Sequence, residues 1–144
     1  MHVISSLTHT AYPALIEVWE ASVRATHDFL PVSRVSELKP LILEQYFDAV
    51  QLFGVKQGNE VLGFLGVCDT AIEMLFIHPE ARGKGVGKAL LLYAVEVLHC
   101  TKVDVNEQNQ QAVGFYAYMG FQIVGRSPFD GQGAPYPLLH MSLG

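Results

Sequence analysis

The chain is short of the residues that mark several functional classes. Only two cysteines occur among 144 residues, Cys68 and Cys100, and neither has a second cysteine beside it. Their spacing builds neither a zinc-ligand pattern nor a disulfide framework. Both stand in apolar company, in GVCDT and VLHC, so buried, reduced thiols are expected. Basic residues are also scarce: nine Lys and Arg stand against fourteen Asp and Glu, for a net charge of −5. Nucleic-acid binding needs a basic face to neutralise phosphates, so that partner class is disfavoured, and a cationic or neutral small substrate fits better. His2, His9, His99 and His140 show no metal-ligand spacing, so no metal is expected. No stretch approaches the roughly 18 apolar residues of a membrane span. The opening MHVISSLTHTAY lacks the basic flank and apolar run of a secretion signal. A cytoplasmic location without a membrane partner is therefore expected, as monomer or homodimer.

What is present is an ordinary globular composition, 50% hydrophobic and 16% charged, which argues against disorder. HVISSL reads as a first strand. From Pro13, apolar Leu15, Val18, Trp19 and Val23 recur at helical spacing, with Trp19 read as core. A second helix is expected over Ser33 to Asp48, interrupted near Pro40. AVQLFGVKQ and EVLGFLGVCD read as a hairpin turning at Gly58-Asn59, and AIEMLFIH as the next strand. A helix follows with Val86, Leu90, Tyr93, Ala94 and Val97 on one face. TKVDVN is a strand, residues 109 to 118 a helix stopped by Gly120, and FQIVGR and YPLLHMSL two closing strands. The order β-α-α-β-β-β-α-β-α-β-β describes one α/β domain over residues 1–144, of mixed α+β character.

The informative stretch is HPEARGKGVGKALLLYAVEVL, where three glycines alternate with basic residues and run into a helix. Two familiar phosphate cradles fail on spacing. A dinucleotide fingerprint needs a third glycine where Lys88 stands. A triphosphate loop needs glycine at Arg82 and a hydroxyl at Ala89. What remains is R-x-x-G-x-G after a strand and opening a helix. Successive N–H groups there, with the positive end of the helix dipole, form a site for an anion. Lys84 and Lys88 add charge.

This stretch, FIHPEARGKGVG, resembles motif A of the GNAT superfamily, the acyl-coenzyme-A-dependent N-acetyltransferases. The resemblance implies a GNAT-like domain with a central, mostly antiparallel sheet flanked by helices, and acetyl-CoA as co-substrate. It places the pyrophosphate of coenzyme A on Arg82, Gly83, Lys84, Gly85, Val86, Gly87 and Lys88. The strand Met74, Leu75, Phe76 and Ile77 would pair its backbone with the pantetheine arm. A second stretch, NQQAVGFYAYMGF, is similar to the element that follows the cofactor region in that superfamily. Asn109 is fit to cap this helix, and the resemblance also implies that it contacts the cofactor. Tyr116 would stand beside the sulfur and give a proton to the leaving thiolate, a task suited to a phenol of pKa about 10.

The acceptor side is less defined. An attacking ammonium must first lose a proton. Glu73, just before the cofactor strand, is a candidate base or else a solvent-facing strand end. His27, Asp28 and Phe29 line an amine pocket, or else Thr26, His27 and Asp28 simply cap the end of the first helix. Tyr136 and His140 touch the acceptor or pack the last strand, and His78 is read as part of the turn. The activity implied is transfer of acetyl to a primary amine by direct attack in a ternary complex, since neither cysteine lies in a nucleophile motif. The alternative is a catalytically silent acyl-CoA-binding sensor or interaction domain.

Overall fold

A computed structural model describes residues 2–26 and 29–143. The chain divides into two compact units, residues 1–100 and 101–144, each described by itself.

The first unit holds β1 (Ile4–Leu7), α1 (Tyr12–Thr26), α2 (Val32–Leu41), β2 (Gln51–Gln57), β3 (Glu60–Cys68), β4 (Ala71–Ile77) and α3 (Val86–Glu96). β1, β2, β3 and β4 pair in that order, all antiparallel. The apolar spacing of α1 delivers what it promised: Leu15, Ile16, Val18, Trp19 and Val23 are all buried, and they share a core with Phe47 and Phe64. Phe64 meets Phe47 edge-on at 5.9 Å, an arrangement that favours the ring quadrupoles. Truncating such a ring costs about 3–5 kcal/mol.

The segment expected as a second helix is interrupted near Pro40, as read: α2 contains the proline and ends one residue beyond it, at Leu41. The ring has no N–H to donate, and it crowds the carbonyl one turn back. The chain answers by widening, passing into a π turn over Ile42–Tyr46 and a 3-10 turn over Phe47–Ala49. Glu20 ties α2 to α1 by accepting from Lys39 at 2.8 Å and from Arg24 at 2.7 Å. These bonds, that from Lys39 foremost, hold its carboxyl below the usual range.

The second unit holds β5 (Lys102–Asn106), α4 (Gln110–Tyr118), β6 (Phe121–Ser127) and β7 (Leu138–Leu143). β7 lies between β5 and β6, antiparallel to both. Val103, Val105, Tyr116, Phe121 and Met141 are buried here. Gly120 ends α4 with a φ of +102°, the left-handed stop expected of it. The full order of strands and helices matches the sequence reading.

Two local expectations are corrected. Cys68 is exposed, and only Cys100 is buried. Position explains this: β3 is covered on both faces through Val67, and Cys68 is its last residue, before Asp69 takes a left-handed φ of +53° and the chain turns away. Val97 is 54% exposed, because α3 ends at Glu96 and Val97 caps it without continuing its buried face.

Candidate functional site

The loop between β4 and α3 is built almost entirely from backbone. His78 caps the short 3-10 turn Pro79–Ala81 by accepting the Glu80 N–H on Nδ1 at 3.2 Å, which is the structural role read from sequence. Ala81 is buried and anchors the turn. Arg82 is extended, Gly83 has φ +76° and Gly85 has φ +81°. L-residues avoid those values, so both glycines are there for conformation. A Cβ on Gly83 would meet nothing within 4 Å, and one on Gly85 only the His2 ring at 3.9 Å. The outer side of the loop is therefore open.

Gly85 is the N-cap of α3 and supplies no side-chain acceptor to the first-turn amides. Those amides are orphaned by helix geometry, and the dipole concentrates positive potential at the same place. Lys84 and Lys88 are exposed beside them.

Two features fix this cradle, and sequence reading missed both. The Lys84 carbonyl lies 2.6 Å from His2 Nε2. A carbonyl only accepts, so Nε2 carries the hydrogen and donates, tying the start of the chain to the loop. Beneath the loop, Gly63 of β3 lies where a Cβ would meet Ile77 Cδ1 at 2.7 Å and Val86 Cγ1 at 3.0 Å. Glycine there lets the first residue of α3 pack hard against the sheet. A glycine inside an otherwise apolar strand was the available signal for this close approach.

Glu73 sits at an irregularity of β4. Val67 pairs with Ile72 while Gly66 pairs with Met74, so Glu73 is the extra residue of a β-bulge. Its side chain is exposed. Bulges re-aim side chains and collect at strand ends near active sites. Met74 and Phe76 pack toward the core of α1, and Leu75 and Ile77 lie on the opposite face of β4.

In the second unit, Asn109 caps α4, its Oδ1 accepting the Ala112 N–H at 3.2 Å. Tyr116 lies two turns on and is buried, its ring edge-on to Phe115 at 5.3 Å and to Phe121 at 5.7 Å. Burial pushes its phenol well above the ordinary value. Phe29 is half-buried, whereas His27 and Asp28 lie outside the described residues.

Residues 48–123 match the acetyltransferase (GNAT) domain family. Over 133 residues the chain is 41% identical to the peptidyl-lysine N-acetyltransferase YjaB of Salmonella typhimurium, covering 92% of both proteins. The Escherichia coli YjaB is 39% identical, over 93% of this chain and 91% of its own. The chain belongs to the GNAT acetyltransferase family. The solution structure of apo YjaB from E. coli superposes with a TM-score of 0.87 at 36% identity, covering 99% of this chain and 97% of that one. The PaiA N-acetyltransferase of Thermoplasma acidophilum, solved with coenzyme A, shares the fold at a TM-score of 0.78 and 19% identity, over 100% of this chain and 99% of its own.

As a GNAT enzyme the protein is an acetyl-CoA-dependent N-acetyltransferase, and the loop fits that requirement on its own geometry. The space outside Gly83 and Gly85 is open, with a helix start that has no side-chain cap behind it, which leaves room for a large anion at the backbone. Among the described residues no group of three His, Cys, Asp or Glu gathers as for a metal ion, and no helix is long and apolar enough to cross a membrane.

Proposed function

We propose that the protein transfers acetyl from acetyl-CoA to a lysine side-chain amine of a peptide, the acceptor class for which its YjaB relatives are named. The observation that carries this reading is the open glycine loop, where two left-handed glycines and an uncapped α3 present bare amides. The bound thioester supplies an activated acetyl group, and the residues of the chain place it and move protons. Amides of residues 83 to 88 hold the pyrophosphate, with Arg82, Lys84 and Lys88 adding charge. The β4 backbone from Met74 to Ile77 aligns the pantetheine arm, and Asn109 adds a contact from the α4 cap.

In this reading Glu73, projecting from the bulge, takes the proton of the incoming ammonium, directly or through water. Tyr116 gives a proton to the departing sulfur. Burial holds the phenol neutral across the working pH range, so it carries the proton it must donate, to a sulfur whose thiolate charge develops only as the bond breaks. The amine attacks the thioester directly: neither cysteine lies in a nucleophile motif, and Cys100 is in addition buried with its thiol pKa raised. Phe29, with His27 and Asp28, is assigned to the amine side.

Calorimetric titration of acetyl-CoA, followed by mass spectrometry of a lysine peptide incubated with enzyme and acetyl-CoA, tests the reading. Micromolar binding abolished by Gly85→Glu, together with acetylated lysine, supports it. A folded wild type that binds no acetyl-CoA refutes the cofactor assignment. Binding without acetyl transfer to any amine favours the silent-sensor alternative.

A further inference from the structure

The three paired strands of residues 101–144 carry a row of polar side chains to which the mechanism proposed above gives no role. Asp104 on β5 is directly opposite His140 on β7, and His140 is opposite Gly125 on β6. Ser127 lies two residues beyond Gly125, hence on the same face and diagonal to the histidine. The ladder slips between Ile123 and Gly125, leaving Val124 as the extra residue of a bulge just before this row. Gly125 clears the space: a Cβ there would stand 3.3 Å from His140 Cδ2 and 3.7 Å from its Cβ. The imidazole leans across the glycine and reaches both neighbours.

The distances are 2.6 Å from His140 Nδ1 to Asp104 Oδ1 and 2.7 Å from His140 Nε2 to Ser127 Oγ. A carboxylate only accepts, so Nδ1 carries the hydrogen. In the neutral ring Nε2 then presents its lone pair, and the Ser127 hydroxyl donates to it. That polarity is the one required for a histidine to withdraw a serine proton. The row is open to solvent, with 36% of the His140 side chain and 58% of the Asp104 side chain exposed.

We propose that Ser127, His140 and Asp104 form a second reactive site, at which the Ser127 oxygen accepts an acyl group from a small activated ester or thioester. Ser127 Oγ attacks the acyl carbon while His140 Nε2 takes its proton, and Asp104 holds the ring in the reactive tautomer. The tetrahedral adduct collapses by breaking the bond to the alcohol or thiol, which departs with that proton. Ser127 is left as an ester. Water, deprotonated by the same nitrogen, then releases the carboxylic acid and restores the hydroxyl. The cycle needs no amine, so it stands apart from the acetyltransferase reaction.

The test uses the full chain and 4-nitrophenyl acetate, with neither coenzyme A nor amine present. Nitrophenolate release is followed by absorbance, and the acetylated position is mapped by peptide mass spectrometry. The expected result is an acetyl group on the peptide bearing Ser127, absent after Ser127→Ala. Asp104→Asn, which keeps the shape but permits the wrong tautomer, should slow acylation by roughly 10²-fold or more, and His140→Gln should do likewise. Acetyl found only on lysines of the wild type overturns the proposal without recourse to any variant. Equal rates of Ser127 acylation in wild type, Asp104→Asn and His140→Gln overturn it as well, leaving three residues that merely brace neighbouring strands.

Discussion

The glycine loop and the Tyr116 helix face opposite physical demands. The loop is exposed, and the groups assigned to it are main-chain amides, with no side chain at Gly83 and Gly85. Tyr116 is buried, and its assigned role rests on a single side-chain atom whose ionisation is set by desolvation. A backbone cradle tolerates side-chain loss but not a change in φ; a buried hydroxyl tolerates no substitution that removes its oxygen. The contrast predicts that the loop governs affinity and Tyr116 governs turnover, and kinetics can separate the two.

The largest effect is expected at Tyr116. Tyr116→Phe keeps the ring between Phe115 and Phe121, so the fold and the affinity for acetyl-CoA should hold. Loss of a positioned proton donor lowers kcat by roughly 10²-fold or more. Steady-state rates with a lysine peptide, alongside a direct acetyl-CoA titration, measure both quantities. A variant with normal kcat removes Tyr116 from the chemistry and leaves it as packing.

Next in size is Gly85→Val. A branched residue at φ +81° is strained by roughly 1–2 kcal/mol, and its side chain intrudes on the open face of the loop. Acetyl-CoA should bind about 5- to 30-fold more weakly, since each 1.4 kcal/mol is about a tenfold change, with kcat at saturation little altered. Lys84→Ala is the matched control. It removes a flexible exposed cation and leaves every amide in place, so its effect on affinity should be clearly the smaller. If the lysine mattered more than the glycine, the cradle would be electrostatic and not built from backbone.

The same contrast explains what could be read from sequence. Strand and helix order was legible because each element announces itself locally: apolar positions at helical spacing in α1, Gly58-Asn59 between β2 and β3, Gly120 after α4. The loop was legible because glycine is the signature of its conformation. Pro40 announced a break in the second helix, but not its form, because a proline marks a local cost and does not say that the chain will continue as a π turn. His2 and Gly63 act on residues distant in the chain, as do Ser127, His140 and Asp104 on each other. No local pattern announces such meetings; strand register creates those of Gly63, Ser127, His140 and Asp104, and the path of the chain before β1 that of His2. Glu73 was picked out as a carboxylate, but its place in a bulge depends on a one-residue slip against β3.

Alkaline pH sharpens the Tyr116 half of the comparison. Burial raises its pKa, so folding favours the neutral phenol. That share of stability is complete below the unfolded value of about 10 and is lost as pH rises through the higher folded value. No alkaline loss of kcat attributable to Tyr116 should therefore appear near pH 10. A pH–rate profile falling with an apparent pKa near 10 in the wild type, and flat in Tyr116→Phe, would show a hydroxyl with ready access to water and contradict the buried donor.

The smallest effect is expected at His2, and it tests how far the loop's shape depends on support from outside. The 2.6 Å bond from Nε2 fixes the Lys84 carbonyl, and so the peptide plane between Lys84 and Gly85. An exposed neutral hydrogen bond contributes about 0.5–1.5 kcal/mol net. His2→Ala should then weaken acetyl-CoA binding by roughly 2- to 10-fold while leaving kcat unchanged. His2→Gln, whose amide N–H₂ can donate to the same carbonyl, should recover part of the loss. Equal affinities in wild type and His2→Ala would mean that Gly83, Gly85 and the packing of Val86 beneath them set the loop without help. The cradle would then be a property of the strand–loop–helix segment alone.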